Sequence, residues 1–394
     1  MTERARSARW SPSSLVAALV ALTTARVPAA PLGVARVLVG LATLSQWKIT
    51  PGLYRRYSDP TLIHFPIVSW LPGPSTETAP FILVVWLVAA LCFTVGWRTR
   101  WAGAVLAPLL LWNVLYDEQT YDNHTYLLSI VVFLVTLADG GAALSVDARR
   151  GAGRATVPAW GAFLVKAQLS VVYGFACINK LNAFYLEGGI MIQGVKPLRA
   201  MEPLMGYRPV LALAIVLAWS SVLIEGWIAV AMWRAKWRPS AIALGFLLHA
   251  GINSTMGQFY GLLAFTLAMW AMYLPFLDAR PGSRVVVWDE RCSACTTVMR
   301  WLRRLDWMEV HDFRSRHSAA ASASVPPPGS EGDAVELQAP DGRHTGFGAV
   351  SRVLELEPLS FLWAPLLRLA PVRRWGDRVY RRYAIPHGDR SRQP

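Results

Sequence analysis

Residues 157–178 read VPAWGAFLVKAQLSVVYGFACI, and Asn179-Lys180-Leu181-Asn182-Ala183-Phe184-Tyr185-Leu186-Glu187-Gly188 follow directly. The apolar run is long enough to cross the roughly 30 Å hydrocarbon core of a bilayer. Its mouth carries Lys180. An ammonium is costly there, and a dry, apolar setting favours the neutral amine, which is a base. Such an amine takes a proton from a weak acid at neutral pH.

Working outward, the same apolar pattern recurs near 31–48, 80–97, 101–116, 124–139, 208–233, 239–256 and 257–277. With 157–178, taken as a span near 158–178, this predicts about eight transmembrane helices. Leu15–Ala25 is apolar but short and is followed by Arg26 and Pro28; it reads as an interfacial or re-entrant helix, or as a ninth span. It has no clear small-residue cleavage site for a signal peptide. Hydrophobic residues make up 54% of the chain and charged residues only 16%, which sets it apart from average soluble proteins. The expected fold is an all-α polytopic membrane protein with a small C-terminal α/β thioredoxin-like domain.

Basic residues set the orientation. With the N-terminus inside, inner segments hold Arg98, Arg100, Arg149, Arg150, Arg154, Arg234, Lys236 and Arg238, together with Arg4, Arg6, Arg9 and Arg26. Outer segments hold only Arg55, Arg56, Lys180, Lys196 and Arg199. Both termini are therefore expected in the cytoplasm. The net charge of +14 then reads as topology and contact with anionic lipid. No nucleic-acid motif accompanies it.

The spans stop at Leu277, and the polar turn Asp278–Ser283 begins a second unit. Val285–Trp288 reads as a buried strand and Cys292–Asp306 as a helix, with Val298, Trp301, Leu302 and Leu305 on one face. Val310–Phe313 and Val335–Leu337 are further strand candidates, Asp341-Gly342 a turn, and 347–356 and 360–369 helical. Ser318–Ser330 is low in complexity and reads as a loop. The basic, aromatic tail from Arg373 is expected on the membrane surface. The divisions are thus a basic N-terminus with its interfacial helix (1–29), a membrane domain (30–278), a Cys-x-x-Cys domain (284–384) and a basic tail (385–394). Cys92 and Cys177 lie in spans as packing residues.

Polar residues in spans usually face the bundle interior. Asp122-Asn123-His124-Thr125-Tyr126 opens the fourth span, His249 and Asn253 lie in the seventh, and Tyr173 stands two helical turns before Lys180 on the same face. Each has a plain structural reading. Asn123 and His124 serve as a helix cap, His249 as an interhelical hydrogen bonder, Lys180 as a snorkelling side chain and Glu187 as an exposed loop carboxylate.

Taken together, these residues carry a resemblance. Gln168…Tyr173…Lys180-Leu181-x-Ala183-x-Tyr185-x-Glu187-Gly188 resembles the lysine segment of vitamin K-dependent γ-glutamyl carboxylase. Asn123-His124-x-Tyr126-Leu127 resembles its asparagine-histidine-x-tyrosine motif, and His249…Asn253-Ser254 a later histidine segment. Tyr57…Phe65-Pro66…Trp70-Leu71 resembles the loop after its first span. Over roughly residues 30–277 the chain resembles the bacterial HTTM (horizontally transferred transmembrane) domain. The resemblance implies a reduced menaquinone or vitamin K-type quinol as cofactor, deprotonated by Lys180, with dioxygen and carbon dioxide as co-substrates. His124 would position substrate or stabilise negative charge, and His249 would support the pocket. Asn123, Tyr126, Tyr173, Glu187 and Asn253 would line the substrate site. Asn179 and Asn182 stand where the family has a second lysine and an aspartate. The carboxylase's large outer domain has no counterpart, and other family members act in maturation or export of secreted peptides.

Val285–Arg304 resembles the start of the DCC family of thiol-disulfide oxidoreductase-like domains, with Asp289, Cys292, Cys295 and Trp301-Leu302 at the matching positions. Asp341-Gly342-Arg343…Gly346…Ala349 and Pro365-Leu366-Leu367 extend it to about 384. Arg291 replaces the second acid and, with the helix dipole, favours a Cys292 thiolate. Cys292 is the expected attacking thiol and Cys295 the resolving one. A metal site is not expected, although His311 and His317 are placed to assist one. Three functions follow as expectations: an enzyme with quinol-linked chemistry in a bacterial plasma membrane, an accessory to the maturation or export of a secreted peptide or protein, and a membrane-tethered thiol-disulfide oxidoreductase.

Overall fold

The computed structural model describes residues 16–17, 20–21, 23–46, 50–59, 61–256, 259–290, 292–316 and 335–384. Arg4, Arg6, Arg9, Arg291, His317, the expected loop Ser318–Ser330 and the tail from 385 lie outside these. Within the expected interfacial helix, the described positions from Val16 to Thr24 are helical.

The chain is mostly helical. After a short strand β1 (Arg26–Pro28) come α1 (Ala30–Ser45), α2 (Thr50–Ser58), α3 (Ala79–Val95), α4 (Thr99–Leu115) and α5 (Asn123–Leu137). Strand β2 (Thr156–Pro158) pairs antiparallel with β1 and leads into α6 (Ala159–Asn179). Three short helices follow: α7 (Ala183–Leu186), α8 (Gly189–Gly194) and α9 (Lys196–Met205). They lead to α10 (Tyr207–Ala231), α11 (Arg238–Thr255) and α12 (Phe259–Ala271). Each of the eight apolar segments read from sequence is a helix. Of these, α6 and α10, at 21 and 25 residues, are long and apolar enough to cross a membrane by themselves. The others are shorter, and α3 ends at a left-handed glycine cap, Gly96.

Gly96 has φ +73°, and a Cβ there would collide with the Arg36 guanidinium. Arg36, fully buried on α1, donates to the carbonyls of Gly140 (3.1 Å) and Leu144 (2.6 Å) in the turn after α5. A cation in that place satisfies backbone acceptors that the helix end leaves open. Gly40 lies against Thr94, and Gly103 against Thr136. Small residues at these crossings let α1 approach α3, and α4 approach α5, as in membrane bundles.

At the opposite end, buried Asp117 ties the loop after α2. It accepts from Arg56 Nε (2.8 Å), Phe65 N (3.2 Å) and Gln119 N (3.1 Å), and His64 Nδ1 lies 2.9 Å away. Burial alone would raise its pKa. The bonds from His64, Arg56 and the two backbone amides outweigh this and hold it at about 2.

The C-terminal unit is a four-stranded sheet in the order β4-β3-β5-β6: β3 (Arg284–Trp288), β4 (His311–Ser315), β5 (Val335–Ala339) and β6 (Gly342–Thr345). β3 and β4 are parallel and joined through α13 (Ser293–Leu305); β5 and β6 are antiparallel additions. Sequence marked only the Asp341-Gly342 turn and missed β6, whose short polar strand has no apolar alternation. Helix α14 (Gly346–Leu354) packs on β5. The helix expected over 360–369 is instead turns and a 3-10 segment, Ala364–Arg368. Pro365 cannot donate a backbone hydrogen bond and opposes a regular helix there. The tail from 370 forms α15 (Ala370–Ala384), which packs on α13 and α14, and its Tyr380 hydroxyl accepts from Val335 N (2.9 Å). Its inner face thus belongs to this domain. Met308, Val310, Leu356 and Phe361 join the same buried cluster as the helices of the first unit, so the two units share a packed seam.

Candidate functional site

Lys180 is the C-terminal cap of α6, and its side chain is about one quarter exposed (26%). Its Nζ donates to Glu225 Oε1 at 2.5 Å. Glu225 is buried on the apolar helix α10, which lies beside α6. The amine expected to stand alone in an apolar mouth is therefore one half of a pair. Nζ also lies 5.4 Å from the ring centre of Tyr185, whose hydroxyl is bonded to Ser221 Oγ at 2.7 Å.

Two turns deeper, buried Tyr173 joins the adjoining helices. Its hydroxyl is 2.8 Å from His249 Nε2 on α11 and is hydrogen-bonded to the Tyr273 hydroxyl after α12. Asn253, one turn beyond His249, donates to Thr266 Oγ1 (2.5 Å) and to the His249 carbonyl (2.8 Å). Phe265 stands between the two imidazoles, 5.2 Å from His124 and 5.6 Å from His249 between ring centres. Along α6 there are thus two polar groups: Lys180 paired with Glu225 of α10, and, two turns away, Tyr173 joined to His249 and Tyr273, to which Phe265 links His124.

Other expected residues sit at its edge. Asp122, not Asn123, caps α5, accepting from Thr125 N at 2.7 Å. Asn123 and Tyr126 are exposed; Asn123 accepts from Tyr121, and Tyr126 packs against the Tyr121 ring. Glu187 is exposed at the end of α7. The structure does not bring Asn123, Tyr126 or Glu187 into contact with the Lys180 pair. Glu225 was missed by sequence reasoning. The available signal was a lone acid in an apolar helix, which by default is functional and seeks a partner. Three buried atoms of these two groups have no hydrogen-bond partner among the described residues: Glu225 Oε2, His249 Nδ1 and Asn253 Oδ1. A wide surface cleft, about 620 Å³, lies elsewhere, lined by Arg98, Arg100, Asp139 and Arg154 in the connections between the helices.

The second site is the Cys-x-x-Cys. Cys292 ends the loop after β3 and is the N-cap of α13; its Sγ accepts from Cys295 N at 3.2 Å. Cys292 and Cys295 form a disulfide with Cα atoms 5.2 Å apart, and both are buried in the domain core. Placement at a helix N-terminus stabilises a thiolate on reduction. Cys92 and Cys177 are free and half-buried, as packing residues are.

Comparison with known families divides the chain in the same way. The HTTM domain model matches residues 25–279, and the DCC1-like thiol-disulfide oxidoreductase model matches residues 286–386. No solved structure matches the chain.

Proposed function

We propose a function from the premise that the chain belongs to the HTTM domain family: it is an integral membrane enzyme in which the Lys180–Glu225 pair accepts a proton from a quinol of the menaquinone or vitamin K type. The family's transmembrane character and the two long apolar helices support residence in a membrane. We take all eight apolar helices as one multi-pass bundle in a bacterial plasma membrane, with both termini cytoplasmic, because basic residues favour the inner connections.

The observation that carries the reading is the 2.5 Å contact between Lys180 and Glu225. Beside it stand Glu225 Oε2, on the pair itself, and His249 Nδ1 and Asn253 Oδ1, on the helix that Tyr173 of α6 joins, all buried and without a partner among the described residues. Buried polar atoms are rarely left unsatisfied, so this set fits a ligand that carries hydroxyl groups. When bound, the quinol supplies electrons to dioxygen and, by the carboxylase resemblance, the drive for carbon dioxide addition to a glutamate of a secreted peptide or protein. The protein's own part is to hold and move one proton. Glu225 orients the Lys180 amine and shares its proton. Tyr173, fixed by His249 and Tyr273, closes the deep side. Phe265 and the aliphatic faces of α6 and α10 exclude water, which would quench a strong base. His124, across Phe265, is placed to steady negative charge.

The test is purified protein in lipid nanodiscs with reduced menaquinone, dioxygen and bicarbonate, assayed for epoxide by mass spectrometry. Wild type should form epoxide, and Lys180→Ala should not while keeping its helical content. Equal turnover by the two proteins would remove this reading. A second reading, membrane-tethered thiol-disulfide exchange, is favoured by the Cys292–Cys295 disulfide at the start of α13. It belongs to a separate site and is tested by exchange with a small dithiol.

A further inference from the structure

Three side chains with metal-ligand chemistry meet in the C-terminal domain, and neither site above uses them. Asp306 follows α13, His311 opens β4 and Glu357 lies in the turn after α14. One ligand atom from each lies within 4.8 Å of the others. His311 Nδ1 is 3.3 Å from Asp306 Oδ2 and 3.4 Å from Glu357 Oε1. The side chains of His311 and Glu357 have no exposed surface. Both ring nitrogens of His311 and both carboxylate oxygens of Glu357 lack a hydrogen-bond partner among the described residues. Asp306 is aimed at them by the backbone amides of Val310 (3.0 Å) and His311 (2.8 Å).

Such a set is expensive to bury as it stands, because two carboxylates and an imidazole leave an unbalanced charge and open lone pairs. The spacing offers the remedy. Bonds of about 2.0–2.1 Å in a tetrahedron place neighbouring ligand atoms about 3.3 Å apart. We propose that Asp306, His311 and Glu357 bind one divalent first-row transition-metal ion through a carboxylate oxygen each from Asp306 and Glu357 and through His311 Nδ1. Two carboxylates balance a divalent charge, and the imidazole selects ions such as zinc over calcium or magnesium, which prefer all-oxygen shells. The cysteines contribute no ligand, since they are joined to each other. The ion would tie the end of α13, the start of β4 and the turn after α14. Neighbours of the three ligands, Met308, Val310, Leu356 and Phe361, pack into the membrane-domain core. The ion therefore fastens the seam between the domains.

The test uses the full chain in detergent, stripped with a chelator, titrated with Zn²⁺ alone, desalted and measured by elemental mass spectrometry. Wild type should retain one zinc per chain. Cys292→Ser/Cys295→Ser should also retain it. Glu357→Gln and His311→Gln should lose it, and Zn²⁺ should raise the thermal midpoint of wild type but of neither variant. A wild type that binds no zinc overturns the proposal whatever the variants do. So does zinc that survives both ligand substitutions. The first result would mean that an imidazolium shared by the two carboxylates fills the place of the ion, and the second that the zinc binds elsewhere on the chain.

Discussion

Glu225 meets Lys180 at 2.5 Å across a gap of 45 residues in sequence, from one antiparallel helix to the next. The acid is buried and the amine partly exposed, so the pair faces inward with its negative member deepest. Removing one partner strands the other, whereas removing both leaves nothing to satisfy. Glu225→Leu should therefore lower stability by roughly 3 kcal/mol, and Lys180→Met/Glu225→Leu should recover much of that while remaining inactive. Chemical denaturation in mixed micelles measures the cycle. Additive losses would mean that the two side chains act independently.

Tyr173 holds His249 and Tyr273 at once. Tyr173→Phe removes both bonds and leaves His249 Nε2 buried without a partner, at a cost of about 1–3 kcal/mol. Tyr273→Phe leaves the bond to His249 intact and should cost less. If activity falls more in the Tyr273 variant than in the Tyr173 variant, Tyr173 is not the hub of the network.

Gly245 on α11 has no room for a side chain, because a Cβ there would collide with the Tyr273 hydroxyl. Gly245→Ala should displace Tyr273, destabilise by about 1–3 kcal/mol and lower activity together with stability. A thermal midpoint equal to that of wild type would show that the helix crossing yields without loss.

Asp117 gives a prediction with a sign. An aspartate near 3.9 in the unfolded chain is held at about 2 in the folded one. Its contribution is therefore complete above about pH 4 and is lost as the pH falls through about 2. The stability difference between wild type and Asp117→Asn should stay constant from pH 7 to about pH 4 and shrink below that. Thermal scans across this range decide it, and a difference that closes by pH 5 would contradict the assignment.

For the disulfide, Cys292→Ser should abolish exchange with a small dithiol, and Cys295→Ser should trap a mixed disulfide on Cys292. Non-reducing electrophoresis with a labelled thiol reads both. Exchange that persists in Cys292→Ser would move the attacking role to Cys295.

What could be read in advance follows the range of the forces. Helix positions follow from local apolar runs, so each of the eight segments was visible, as was the strand before Cys292. Tyr173 and Lys180 share a face by helical period alone. The partner of Lys180 was not legible, because Glu225 sits within an apolar run and its meaning depends on which helix lies beside it. Asp306, His311 and Glu357 are brought together only by the closing of the sheet. Asp122 took the cap expected of its neighbours because its side chain reaches Thr125 N. The stop at Pro365 was local and could have been foreseen.

The seam made by Met308, Val310, Leu356 and Phe361 has a kinetic consequence. A redox domain on a loose tether can carry electrons by swinging from donor to acceptor. This domain packs against its bundle, so on the proposed thiol exchange its disulfide would stay in one place and a redox partner would have to reach it there.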